Sequence, residues 1–396
     1  MKHIFVNFVK MTGIYVNIPF CRSRCLYCDF YSVASRRADW SRFVTALINE
    51  ARHKLSILPA SGLSDGFTLY FGGGTPSLLP PDRFADLASA LDSLLPVHPE
   101  EFTIEVNPDD VTAELATLWK DNGVSRISMG VQSLVDAELK TVGRRHDAAR
   151  AKEAGAILSR FFDNISLDLI FGLPLQSPDS LNYTLEGLLE MGPSHISAYS
   201  LTFEERSALS RLKERGVVEE TEEDISCSMF ELVGRKLAAA GFRQYEISNY
   251  ALPGKESRHN SLYWDGSPYI GLGPGAHSYD GERRRSYNLP DLKAYVDFWA
   301  DRSNLTDLFA VPEGVETSEL LSDEELCEEM IMTRLRTAEG LDLSEFEKTF
   351  GSGRLRRLLE EAGPFLRKGT MLREGTRLRL SDKGFFISDD IISSLF

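Results

Sequence analysis

Three thiols, Cys21, Cys25 and Cys28, crowd into the turn Cys21-Arg22-Ser23-Arg24-Cys25-Leu26-Tyr27-Cys28, directly after the apolar run Ile14-Tyr15-Val16-Asn17-Ile18-Pro19-Phe20. Thiolates are soft ligands, and zinc and iron–sulfur clusters are their usual guests. A structural zinc needs four protein ligands to close its tetrahedron. No second Cys pair or Cys/His pair follows at a suitable distance. An iron–sulfur cube held by three cysteines instead keeps one iron open to an exogenous ligand, and this is the chemistry the spacing points to. Three merely structural cysteines are the weaker reading, because unbridged thiols rarely cluster so tightly in an exposed loop.

Other residues able to do chemistry recur one apolar run at a time: Gly72-Gly73-Gly74-Thr75-Pro76, then Glu105-Val106-Asn107-Pro108, then Gly130-Val131-Gln132-Ser133 with Arg144-Arg145-His146, then Asp168 inside Leu167-Asp168-Leu169-Ile170. Missing side chains at the glycines let a ligand touch backbone. Glu105 and Asp168 each need a reason to be there, since a polar group inside an apolar strand is costly unless paired.

The elements that must position them follow from hydrophobic periodicity. Apolar strands are predicted at 14–18, 68–71, 103–106, 127–131, 165–170 and 196–199. Amphipathic helices separate them at 38–58, 82–95, 112–121, 136–142 with 148–161, and 178–190. Strands joined by long crossovers run parallel, so the fold class is α/β with a βα-repeat sheet. Six units fall short of the eight that close a full barrel, which makes an open, partial (βα)6 barrel the expectation. In such folds chemistry sits at the carboxyl ends of the strands, where these motifs fall.

The pattern divides the chain into a lead at 1–12, with Met1 and Met11 both candidate starts, and the barrel at 13–210. A barrel extension at 211–302 and a polar linker at 303–322 precede a C-terminal domain at 323–396. Residues 251–290 read as one long irregular stretch, rich in Gly, Pro and aromatics, and such stretches are usually functional. The last domain alternates helices with a short ribbon, a winged-helix-like pattern. A net charge of −15 argues against nucleic-acid binding and favours a cap packed over the barrel mouth. An odd count of five cysteines, three of them clustered, is no disulfide framework and suits a reducing, cytoplasmic setting. Cys227 and Cys327 sit in helical patterns as ordinary hydrophobes.

The Cys-x3-Cys-x2-Cys loop after Tyr-Val-x-Ile-Pro-Phe, together with the glycine and carboxylate motifs, resembles the radical S-adenosylmethionine (SAM) superfamily. The flanking residues resemble its branch of oxygen-independent coproporphyrinogen III oxidases and the related haem chaperones. The resemblance implies a radical SAM partial barrel and a [4Fe–4S] cluster on Cys21, Cys25 and Cys28, whose open iron takes the amino and carboxylate groups of SAM. It further implies that Tyr15 lies beside the cluster and SAM, that Tyr27 touches adenine through backbone, and that Gly73, Gly74 and Thr75 contact the methionyl amino group. Glu105, Gln132, Arg144 and Asp168 match the positions that hold the ribose hydroxyls and the SAM carboxylate. No residue is assigned a catalytic proton-transfer role.

Two features separate the branch's members. Its decarboxylases carry a further Cys two positions after the third, where this chain has Asp29-Phe30. The motif His-Asn-x-x-Tyr-Trp, associated with the haem chaperones, is complete as His259 to Trp264. An imidazole can ligate haem iron and the aromatics can face a porphyrin, which makes His259 a candidate haem ligand. A histidine making structural hydrogen bonds is the bland alternative. One departure is Asn17, where the family usually has His. The expectation is therefore a protein that binds haem and passes it to acceptor apoproteins, membrane-bound respiratory enzymes among them, with the cluster and SAM gating or assisting transfer. It would need an electron donor, no nucleic acid, and only peripheral membrane contact. Oxidative decarboxylation of coproporphyrinogen III to protoporphyrinogen IX is the alternative.

Overall fold

Ile14, Val16, Ile18, Leu69, Phe71, Ile104, Ile127 and Met129 are buried, so the strands that carry them are covered on one face by helices. In the computed structural model, residues 11–57, 63, 66–302, 311 and 314–396 are described. Six parallel strands alternate with helices in this order: β1 (Thr12–Ile18), α1 (Trp40–Ser56), β2 (Phe67–Gly73), α2 (Pro81–Leu94), β3 (Glu101–Val106), α3 (Ala113–Asp121), β4 (Arg126–Gln132), α4 (Asp136–Thr141), α5 (Ala148–Leu158), β5 (Ile165–Phe171), α6 (Pro178–Glu190) and β6 (His195–Ser200). They pair side by side in sequence order, β1 against β2 from Thr12↔Phe67 to Ile18↔Gly73. The sheet stays open and is of the radical SAM type, as the sequence implies.

Side chains facing the barrel interior are largely polar, and they alternate with the apolar ones as the two-residue period of a strand requires. Thr68 and Tyr70 come from β2, Thr103 and Glu105 from β3, Arg126 and Ser128 from β4, and Ser166 and Asp168 from β5. Local signals frame the helices. Asp39 accepts from the Arg42 backbone at the start of α1, and a Ser177/Ser180 capping box followed by Pro178 starts α6.

Both edges of the sheet are extended. After α7 (Ala208–Glu214) and α8 (Glu223–Ala239), β7 (Arg243–Gln244) and β8 (Asn249–Ala251) add antiparallel strands beside β6. On the other edge β9 (Tyr269–Leu272) lies parallel to β1, followed antiparallel by β10 (His277–Tyr279), β11 (Arg284–Asn288) and β12 (Glu316–Leu320). Two expectations are corrected here. The stretch at 251–290 is not irregular, since α9 (Arg258–Asp265) and three strands run through it; short strands among glycines carry too few residues for periodicity to reveal them. The linker at 303–322 lies partly outside the described residues, and its 316–320 segment is β12, an edge strand whose polar residues conceal it.

A buried ionic knot fastens this edge. Glu50 of α1 is fully buried and accepts from Lys54 at 2.9 Å, Tyr295 at 2.5 Å, Gly273 N at 2.8 Å and Asn288 at 2.6 Å. Lys54 also donates to Gly271 O at 3.0 Å. Removing Glu50 leaves the buried Lys54 with Glu316 alone as its ion-pair partner, at 3.3 Å, and orphans the donors of Tyr295, Gly273 and Asn288, so Glu50→Ala is expected to lower the unfolding free energy by about 3–5 kcal/mol in urea denaturation.

The C-terminal part folds round its own core of Ile331, Leu335, Phe346, Leu358 and Met371. Its order is α10 (Leu292–Trp299), which closes the barrel region, then α11 (Asp323–Leu335), β13 (Leu341–Asp342), α12 (Leu343–Phe350), α13 (Ser352–Lys368), β14 (Met371–Glu374) and β15 (Arg377–Leu380). The six elements from α11 to β15 have the order of a winged helix, and two short helices, Asp382–Phe386 and Ser388–Ser393, follow them. The expected position over the barrel mouth is corrected: Arg334 donates to Asp265 O of α9 at 2.9 Å, Arg285 pairs with Glu329 at 2.5 Å, and Glu246 bridges Thr337. The domain thus packs on the sheet edge and on α9, and no residue of it lines the cavity at the strand ends.

Candidate functional site

The β1 exit sets the geometry. Phe20–Cys21 pairs in parallel with Val33–Ala34, so the thiol loop closes on itself. Its middle is held from two sides, by Leu26 N to Val142 O at 3.0 Å and Leu209 N to Leu26 O at 2.8 Å. Arg24 Nε donates to Cys28 O at 2.9 Å. All five cysteines are free thiols. Cys21, Cys25 and Cys28 line one cavity of about 560 Å³ at the carboxyl ends of the strands. Thr75 Oγ1 lies 3.5 Å from Cys21 Sγ and Arg144 Nη1 3.5 Å from Cys25 Sγ. Burial pushes the Cys21 and Cys28 thiols up.

The same cavity gathers Tyr27, Gly73, Gly74, Thr75, Glu105, Gln132, Arg144 and Asp168. Eleven of the thirteen candidate residues therefore share its wall, and Tyr15 and His259 do not. The glycines serve neighbouring backbone as well as any ligand. Gly73 has φ 108°, and a Cβ there would stand 1.8 Å from Asn17 Oδ1. A Cβ on Gly74 would stand 2.8 Å from the Phe20 backbone. Asn17 in turn donates to Pro274 O at 2.5 Å, so the residue that departs from the family pattern ties β1 to the loop after β9.

Gln132 is a strained residue in the cavity wall. Its φ is 70°, and the β4–β5 register shifts between Gly130 and Gln132, a bulge that re-aims the side chain. Gln132 Oε1 and Arg144 Nε are buried without a hydrogen-bond partner among the described residues, while Arg144 Nη2 donates to Gly130 O. Unpaired buried polar atoms are costly and mark a place where a ligand would complete the set.

Glu105 accepts from Tyr70 OH at 3.0 Å and Gly73 N at 3.2 Å; burial, and then the Asp168 carboxylate, push it up to about 7. Asp168 accepts from Ser128 at 3.2 Å, and burial raises it too. Arg126, missed in the sequence, lies buried at the start of β4 with Nε and Nη1 unpartnered among the described residues, and its charge offsets part of the rise of both carboxylates. An Arg opening an otherwise apolar strand was the available signal. Asp110 was missed as well; buried, it pairs with Arg22 at 3.4 Å and accepts from Ser77 at 2.9 Å.

His259 sits on the barrel floor, at the opposite end from the thiols. Glu101 binds the first backbone N–H groups of α9, Arg258 N at 3.1 Å and His259 N at 3.0 Å, where a carboxylate suits a helix start. The His259 ring is 1% exposed, with Nδ1 2.7 Å from Thr68 Oγ1 and Nε2 2.9 Å from Tyr263 OH. Burial, with the Arg126 charge, pushes it down to about 3. Both nitrogens are taken, so haem ligation is not available to His259 in this conformation; the bland alternative describes it. Tyr15 lies with it, stacked on Tyr70 at 5.7 Å between ring centroids. His259→Ala is expected to cost about 2–4 kcal/mol of stability by urea denaturation while leaving the haem Soret band of the folded protein in place.

The donor set fits the groups that the sequence implies, although among the described residues no three Cys, His, Asp or Glu side chains stand close enough to hold a metal ion by themselves. Three free thiols from one turn, beside carboxylates, an amide and a guanidinium with open valences, suit a three-cysteine cluster and a ligand bearing hydroxyl, ammonium and carboxylate groups. No described helix is long and apolar enough to cross a membrane.

Comparison with known proteins agrees with this geometry. Residues 15–188 match the model of the radical SAM superfamily and residues 321–387 that of the HemN C-terminal domain. The chain is 35% identical to the heme chaperone HemW of Bacillus subtilis, covering 86% of this chain and 87% of that one. It is 33% identical to the heme chaperone HemW of Mycobacterium tuberculosis, over 97% and 94% of the two chains. The radical S-adenosyl methionine domain-containing protein 1, mitochondrial, of Bos taurus is 32% identical, over 98% and 87%. The coproporphyrinogen III oxidase HemN of Escherichia coli shares the fold, with a TM-score of 0.81 and 19% identity over 98% of this chain and 91% of that one. With relatives more than 30% identical matched along most of their length, the chain belongs to the radical SAM superfamily, in the family of the heme chaperone HemW.

Proposed function

We propose that this protein binds haem and passes it to acceptor apoproteins, carrying a [4Fe–4S] cluster on Cys21, Cys25 and Cys28 and SAM in the adjoining cavity. The observation that carries the reading is the convergence of three free thiols with Glu105, Gln132, Arg144 and Asp168 in one cavity, in a chain whose relatives are named heme chaperones. Arg144 and Gln132 would hold the SAM carboxylate, and Glu105 and Asp168 would accept from its hydroxyl or ammonium groups. When bound, the cluster and SAM supply radical chemistry that side chains cannot. Haem acceptors, membrane-bound respiratory enzymes among them, and a reductant for the cluster complete the partner set, with the protein cytoplasmic and at most peripheral to the membrane. Haem ligation by His259 belongs to this reading only if α9 leaves the barrel floor.

Asp29-Phe30, in place of a further cysteine, sets the chain apart from the decarboxylase pattern. The deciding experiment loads the reconstituted protein with haem and follows transfer of the Soret absorbance to a separable apocytochrome. In parallel, it is incubated anaerobically with coproporphyrinogen III, SAM and a reductant. Haem transfer without porphyrin turnover is expected. Protoporphyrinogen formation without transfer would replace this reading with the oxidase.

A further inference from the structure

A protein that hands on haem needs a side chain able to hold iron, and no histidine lines the thiol cavity. Most of the other described histidines are closed to a porphyrin as well. His53, His146, His195 and His259 are buried. Both ring nitrogens of His195 are engaged, by Ser166 at 2.7 Å and Tyr245 at 2.8 Å, as those of His259 are by Thr68 and Tyr263. His98 is exposed, but it pairs with Asp92 at 3.0 Å before the start of β3, at the end of the barrel away from the thiols. His277 differs from all of these. It is exposed on β10, and neither ring nitrogen has a hydrogen-bond or ion-pair partner among the described residues.

The sheet builds a bay around this imidazole. His277 pairs with Tyr287 of β11, and the two rings stack at 5.0 Å between centroids and 22° between planes. On its other side lies Gly271 of β9, itself paired with Tyr15 of β1. A Cβ on Gly271 would collide with the His277 backbone, so bare main chain separates the imidazole from Tyr15. Two residues along the same face of β10, Tyr279 touches Tyr269 at 6.0 Å, and Tyr269 touches Tyr263 of α9 at 4.9 Å, which puts this face on the inward side of the sheet. Arg285, opposite Tyr279 on β11, lies over its ring at 5.7 Å.

We infer that His277 is the axial ligand through which this chain holds haem, in the bay on the inward face of β9 to β11 and outside the thiol cavity. The inference rests on the haem reading above and supplies its ligand. A histidine with a structural role bonds to the protein through its nitrogens, as His195 and His259 do, and His277 does not. Stacking on Tyr287 takes up one face of the imidazole and leaves its nitrogen-bearing edge free. Burial, with the Arg285 charge, pushes the ring below its ordinary value and keeps it neutral at pH 7. A ring-nitrogen lone pair then forms the bond to iron, and no proton or electron is transferred. The bare backbone at Gly271 gives the macrocycle room, Tyr279 offers it apolar surface, and Arg285, shared with Glu329, is a cation within reach of this face for a propionate. A single histidine leaves the opposite side of the iron open, where an acceptor's own ligand can take hold and draw the haem away.

The test titrates ferric haem into the reconstituted full chain and reads the Soret difference spectrum and the electron paramagnetic resonance of the haem iron. His277→Ala is compared with His98→Ala, which removes the other exposed imidazole. His277→Ala is expected to bind haem at least about tenfold more weakly and to lose the nitrogen-ligated signature, which added imidazole restores. His98→Ala stays near wild type. Circular dichroism and the urea midpoint of His277→Ala match wild type, since the side chain is exposed. His277→Met keeps the test open if the alanine variant is unstable: methionine is itself an iron ligand, so a shifted Soret band is expected, and an unshifted one overturns the inference. Wild-type affinity and spectrum in His277→Ala overturn the ligand and leave the haem reading standing. An equal loss in His98→Ala overturns it too, as the mark of adventitious binding to any exposed imidazole, and a loss that imidazole does not restore overturns it in favour of a structural effect. No saturable binding by wild type removes the haem reading and the ligand together.

Discussion

Replacing Cys21, Cys25 and Cys28 together by alanine abolishes the broad visible absorbance that anaerobic reconstitution with iron and sulfide gives the wild type. The expected effect is complete loss, because soft thiolate ligands are what hold such a cluster and no other His, Cys, Asp or Glu set among the described residues is grouped to replace them. The fold survives. The thiols are half-buried, and the loop is anchored by backbone bonds of Leu26 to Val142 and Leu209 that the substitutions leave alone. Circular dichroism unchanged from wild type, with iron content near zero, is the predicted pair of results. Retained absorbance in the triple variant would remove the cluster from these cysteines.

Glu105→Gln should flatten two pH dependences at once. Burial and the Asp168 carboxylate hold Glu105 near 7 in the folded, ligand-free protein, above its usual value. The folded state therefore binds the proton more tightly than the unfolded one. The stability from this group is fully present below the unfolded value and is lost as pH rises through about 7. Roughly 1–3 kcal/mol should disappear between about pH 5 and 8, less than the full shift implies because the carboxylate faces a water-accessible cavity. Tyr15, Tyr70, Tyr199, Tyr263, Asp168 and Arg126 face or surround the group. The tyrosines are pushed up by burial and stay neutral over this range, leaving Asp168 and Arg126 as its charged neighbours. SAM affinity in the wild type should run the other way, rising with pH as the carboxylate becomes available to accept. In Glu105→Gln the stability profile flattens, and SAM binds roughly 10–100-fold more weakly with little pH dependence, the cost of one hydrogen bond to a charged group. Urea denaturation and equilibrium dialysis across pH measure the two; parallel slopes in wild type and variant would remove Glu105 from the binding set.

Much of the site was legible in the chain because its chemistry sits at strand ends. Apolar runs mark β1 to β6, and the parallel sheet brings the residues at or just beyond the ends of those runs together, while the family resemblance is what ties Gly73, Glu105, Gln132, Arg144 and Asp168 to one ligand. The interior of the barrel was less legible. Arg126 shows only as a charged residue at the start of an apolar run, and Asp110 is a single polar residue whose partners Arg22 and Ser77 come from distant loops, with no local pattern to distinguish it from a surface residue. The edge strands β9 to β12 escaped because three to five residues do not establish a period.

His259 shows the limit most clearly. Its motif is visible in the sequence, but whether an imidazole meets a ligand or the protein depends on where its helix docks. Glu101, far away in the chain, holds α9 on the barrel floor, and Thr68 and Tyr263 then occupy both ring nitrogens. The sequence by itself determined the thiol loop, the order of the parallel strands and the set of polar groups at their ends, because these follow from ligand chemistry and local periodicity. Only the tertiary structure decided that His259 faces away from the cavity, that the last domain leaves the barrel mouth open, and that Ala34 pairs beside Cys21, because each depends on contacts between segments with no fixed spacing along the chain.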